Sequence, residues 1–101
     1  MNIVYLHKMI CEELDGAREY IMEAKKIQKD YPAFSKTFVE MSKAELSHAE
    51  NLFKMAETMI EEMKSSSPES SEFIDNCYHI IIDDYEERYS MVTNLHSHFK
   101  G

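Results

Sequence analysis

The sequence predicts an all-α chain folded as an antiparallel three-helix, up-down-up bundle. Three observations lead there. Apolar residues recur at steps of three and four over three long stretches, which is the spacing of one helix face. Only two Gly and two Pro occur in 101 residues, too little punctuation for a fold with many turns. The breaks fall at Asp30-Tyr31-Pro32 and at Ser65-Ser66-Ser67-Pro68, and both suit tight helix connections.

The first helix is predicted over 3–29, with Asn2 as its N-cap and Ile3, Leu6, Ile10, Leu14, Ala17, Ile21 and Ala24 on its apolar face. Gly16 lies inside it, at a cost of about 1 kcal/mol relative to Ala, and is read either as room for close packing or as a tolerated Gly. Asp30 is available to cap the second helix, and Pro32 is acceptable only in a first turn. That helix is predicted over 32–64, with Phe34, Phe38, Met41, Leu52, Met55, Met59 and Met63 on one side. Ser67 or Ser71 would cap the third helix, predicted over 69–99, whose shared face is Ile74, Tyr78, Ile81, Tyr85, Val92, Leu95 and Phe99. Rods of this length reach ~40–46 Å. A three-helix unit with so many large apolar side chains leaves a groove, which favours self-association.

Composition narrows the function. Apolar content of 44% with 30% charged residues is that of a soluble globular domain. A net charge of −8 with scattered Lys disfavours nucleic acid and anionic lipid, both of which need clustered cations. No apolar run approaches the ~18 residues of a membrane span. The N-terminal stretch lacks a basic leader and a small-residue cleavage site, so a cytoplasmic protein is expected. Cys11 and Cys77 are isolated and read as buried thiols, not as a CxxC metal site.

Two residues break the apolar stripe of the second helix. Glu45 and His48, one turn apart, fall near its centre. Glu13 sits in the apolar arc of the first helix, and hairpin spacing about Asp30 brings it level with both. Counting outward from Ser66 brings Asp84, Glu87 and Arg88 of the third helix to the same layer. A buried carboxylate costs several kcal/mol unless it is paired. Three explanations compete. A metal ion could be held there, since carboxylates with an imidazole suit Fe, Mn or Zn. Arg88 could neutralise Glu13 and Glu45 in a metal-free structural bundle that serves as an interaction module. Or the residues could face water. The coincidence of two Glu and one His at one height favours the metal.

The run Glu45-Leu-Ser-His48-Ala49-Glu50-Asn51-Leu52-Phe53-Lys54 is similar to the E-x-x-H-A-x-x-L-F-K run of the rubrerythrin second helix, and Glu13 with Tyr20 resembles the E-x6-Y of the first. The chain thus resembles the ferritin-like superfamily, rubrerythrins in particular. The resemblance implies iron ligation by Glu13, Glu45 and His48, with Tyr20 hydrogen-bonding to a ligand carboxylate. It implies a di-iron carboxylate protein (Mn or Zn being possible substitutes) that oxidises Fe(II) or reduces peroxide.

The family's usual fourth helix, its second E-x-x-H and the rubredoxin cysteines are missing from the sequence. Two repairs are open. Two chains could meet about a twofold axis and share the site, completing a four-helix di-metal core as in encapsulated ferritins, which this chain resembles in size and half-site. Or Asp84, with Glu87, could complete a site within one chain, Arg88 standing behind it. The homodimer is preferred because it yields four carboxylates and two imidazoles. No encapsulation tail follows the third helix, so cargo behaviour is not expected. Elsewhere, His79 with Asp83 and His7 with Cys11 are read as helix-surface pairs, and His96 and His98 as partners of a helix C-terminus.

Overall fold

The computed structural model describes residues 1–100 and contains three α-helices: α1 (Ile3–Ile27), α2 (Pro32–Ser66) and α3 (Ser71–Ser97). A 3-10 turn, Pro68–Ser70, links the last two. Asn2 caps α1 as expected, its Oδ1 accepting the Tyr5 N–H at 2.8 Å. Asp30 does not cap α2. Tyr31 holds that position without a side-chain bond, and Pro32 opens the helix. The second helix runs on to Ser66, because the Ser67 N–H still reaches the Met63 carbonyl at 2.9 Å. Pro68 cannot extend that ladder. Ser67 therefore leads into the 3-10 turn, and Ser70, not Ser71, precedes α3.

The apolar face expected for α1 is the one it buries: Leu6, Ile10, Leu14, Ala17, Ile21 and Ala24 all lie inside, with Ile3 half-buried. The α3 face behaves likewise, with Ile74, Ile81 and Val92 buried. The second helix differs. Its buried residues are Ser35, Ser42, Leu46, Ala49, Ala56 and Ile60, mostly small. Small side chains let two backbones approach, and two buried hydroxyls bond across the gap. Ser35 Oγ donates to the Ala24 carbonyl and Ser42 Oγ to the Ala17 carbonyl, both at 2.6 Å. Each such bond contributes about 1 kcal/mol net.

The large apolar stripe of α2 is therefore real but only partly its core face: Leu52 and Met59 pack against the core, and the rest of the stripe does not lie in it. Phe34, Met41 and Met55 are exposed, and Phe38, Leu52, Met59 and Met63 are half-buried. The third helix lies on the other side, mainly against α1, and is joined to α2 by a stack of rings in which Phe53 and Tyr85 stand 4.1 Å apart. The Tyr89 hydroxyl donates to Glu50, a bond that pushes its pKa up to about 12, with burial adding to the effect. The described chain measures 58 × 21 × 14 Å, with a radius of gyration of 16.5 Å. A compact chain of this length would have about 13 Å. This is a long, thin plate of helices, and the broad face of the α1–α2 hairpin is left open.

Candidate metal centre

The open face carries the acid and imidazole groups. On α1, Met9, Glu13, Gly16, Tyr20, Glu23 and Ile27 follow one another at helical steps, and all are half-buried. On α2 the matching stripe runs Phe38, Met41, Glu45, His48, Leu52 and Met55. Tyr20 and Phe38 join the two, their ring centroids 6.0 Å apart. At mid-length, one ligand atom each from Glu13, Glu45 and His48 lie within 4.8 Å of one another. His48 Nδ1 stands 3.6 Å from Glu13 Oε2, close enough to interact but too far for a hydrogen bond. The expected level between Glu13 and the Glu45–His48 turn is thus the observed one.

The direction is a correction. Glu45 and His48 do not point into the interior of their own chain. The Glu13 side chain is 28% exposed and that of His48 is 57% exposed. Local packing explains how Glu45 is seated. Gly16 lies beneath it, and a Cβ built on that glycine would be 3.6 Å from Glu45 Oε2. The glycine keeps the α1 surface low where the carboxylate crosses it.

The third helix does not contribute to this group. Asp84 Oδ2 lies 2.7 Å from His7 Nε2, and the thiol of Cys11 joins that pair. Glu87 is exposed and lines a shallow cleft with Arg18 and Arg88. The expectation that Asp84 or Glu87 stands beside Glu13 fails because height alone does not set direction. Cys11 and Glu13 are two positions apart and so point about 200° apart around α1, and α3 meets the Cys11 side. Arg88 is corrected for the same reason. Its Nη1 bonds Asp15 Oδ1 at 2.5 Å, so the ion cluster with Glu13 and Glu45 is not formed.

His79 and Asp83 stand exposed, as read. His98 Nδ1 lies 2.7 Å from the Asn94 carbonyl near the end of α3. His96 is more deeply placed than a terminal partner. Its Nε2 lies 2.8 Å from Ser42 Oγ, and because that hydroxyl donates to Ala17, the imidazole must donate to it. Burial, and then the nearby Lys43, hold this imidazole below its ordinary pKa. His7 and Cys11 face α3 and are not free on the helix surface. Their i, i+4 spacing was legible, but the α3 side chain that meets them was not. Burial pushes the Cys11 thiol above its usual range; Arg88 opposes this, and the Asp84, Asp15 and Glu12 carboxylates reinforce it.

Two carboxylates and an imidazole on one face fit iron by donor type, since oxygen and imidazole ligands suit Fe and Mn. Among the described residues, no helix is long and apolar enough to cross a membrane. A family model described as Rubrerythrin matches residues 5–91 of the chain. No curated protein and no solved structure matches it.

Proposed function

The chain belongs to the rubrerythrin family, a ferritin-like family whose members generally bind iron, and on that premise we propose that it is a di-iron carboxylate protein whose centre is shared between two copies and which oxidises Fe(II) or reduces peroxide. The observation that carries this reading is the Glu13, Glu45 and His48 group on an open, largely apolar face. A twofold axis through that face doubles the group to four carboxylates and two imidazoles. It also buries Met41, Met55 and Phe34, which one chain leaves exposed.

Glu13, Glu45 and His48 would hold the metal, Glu45 and His48 from one turn of α2 and Glu13 from α1. When bound, iron supplies the one-electron chemistry that O2 or peroxide requires. The chain's own residues do the rest. Glu13 and Glu45 would balance the charge of a bound cation. The small residue at Gly16 leaves the Glu45 carboxylate room over α1. The paired Tyr20 and Phe38 wall one side of the site, and the Met side chains of two copies would exclude bulk water, which strengthens the electrostatics inside.

The test is reconstitution with Fe(II) in air. Bound iron by elemental analysis and an Fe(III)–oxo absorption are expected, both lost in Glu45→Ala and His48→Ala. A wild-type chain that retains no iron after reconstitution would overturn the reading.

A further inference from the structure

A second convergence of donors lies on the opposite flank of α1. His7 and Cys11 are one turn apart on that helix, and Asp84 reaches them from α3. One ring nitrogen of His7, the Cys11 Sγ and one Asp84 carboxylate oxygen all lie within 4.8 Å of one another. All three residues are half-buried. None belongs to the Glu13, Glu45 and His48 group.

We propose that His7, Cys11 and Asp84 form a separate site for a single divalent ion of borderline softness, Zn2+ being the best match, and that the ion ties α1 to α3. Thiolate, imidazole and carboxylate are the three ligand types zinc takes, and three protein donors leave its fourth position open to water. Bonds of 2.0–2.3 Å at tetrahedral angles put donor atoms about 3.3–3.7 Å apart. The His7–Asp84 contact of 2.7 Å would have to open by about 1 Å or less. The widest separation here, at most 4.8 Å, would have to close by no more than about 1.1–1.5 Å. The hard ions Mg2+ and Mn2+ are disfavoured by the sulfur.

The surrounding charge suits a cation. Glu12 and Asp15 lie nearby in addition to Asp84, and the neighbouring cation, Arg88, is already bound to Asp15. Binding exchanges one proton: the Cys11 S–H bond breaks, its electron pair becomes the sulfur–metal bond, and the proton leaves to water. His7 enters neutral and Asp84 as the carboxylate, so no redox step is involved.

Two measurements test this. Cys11 and Cys77 are the chain's two cysteines, so Co2+ is titrated into a Cys77→Ser chain. One equivalent should give a thiolate-to-metal charge-transfer band that Zn2+ removes. His7→Ala and Asp84→Asn should each weaken the binding by about tenfold or more, and a Glu45→Ala, His48→Ala chain should keep the band. Independently, in the wild-type chain, Zn2+ should slow iodoacetamide alkylation of Cys11 by about tenfold or more while leaving Cys77 unchanged, because the metal-bound sulfur is withdrawn from attack. Absence of a thiolate band, or alkylation of Cys11 indifferent to Zn2+, would overturn the proposal.

Discussion

The Glu45 carboxylate of α2 lies directly over Gly16 of α1, with 3.6 Å between its Oε2 and the point a Cβ would occupy. That distance is ordinary van der Waals contact, so one methyl fits and a branched side chain does not. Gly16→Ala should stabilise the chain by up to about 1 kcal/mol through helix propensity and leave iron binding intact. Gly16→Leu should displace the carboxylate and lower the iron retained after reconstitution. Urea melts read the first effect and elemental analysis the second. Equal iron contents in both variants would mean that Glu45 does not need its seat.

Met41 stands one turn before Glu45 on the open stripe and is 38% exposed. Met41→Asp should cost the isolated chain little, because that side chain is not in its core. It should cost a dimer a great deal, since a charge would be buried without a partner. Analytical ultracentrifugation is expected to give the mass of two chains for wild type and of one for Met41→Asp, with helicity by circular dichroism unchanged. A variant mass equal to wild type would place the shared surface elsewhere.

Arg88 pairs with Asp15 near the surface, its side chain 38% exposed. Exposed pairs contribute about 0–1 kcal/mol. Arg88→Met should therefore shift the urea midpoint only slightly and leave iron content alone. Unfolding of that variant would show that Arg88 does more than hold Asp15.

His96 donates to Ser42 and is held below its ordinary pKa by burial and by Lys43. The unfolded chain therefore takes up the proton more readily than the folded one. The stability this group contributes is full above its unfolded value, about pH 6.5, and is lost as pH falls through that value toward the folded one. Between pH 7 and pH 5, wild type should lose more stability than His96→Gln, which carries no titrating ring. The comparison removes the carboxylates, which both proteins share. Parallel losses in the two would assign the acid sensitivity to other groups.

Much of this architecture was legible from residue spacing. The helix breaks at Pro32 and Pro68 follow from backbone chemistry that no tertiary contact alters. The level shared by Glu13, Glu45 and His48 follows from counting along two rods joined by a short turn. What could not be counted was which face of α2 turns inward. Its large apolar residues, from Phe34 to Met63, suggested a core face. The chain instead buries the run of Ser35, Ser42, Ala49 and Ala56, because small residues let α2 lie close on α1 and place two hydroxyls on its carbonyls.

Periodicity and the proline breaks together thus settled that there are three rods, where they stop to within two residues, and that two acids and an imidazole gather at one height on the first pair. It could not settle which side of that pair the third rod covers. Packing decided this, and with it the partners of Asp84 and Arg88 and the openness of the Glu45–His48 surface. The physical reason is that a repeat of apolar residues records the direction in which water is to be excluded but carries no record of the body that excludes it.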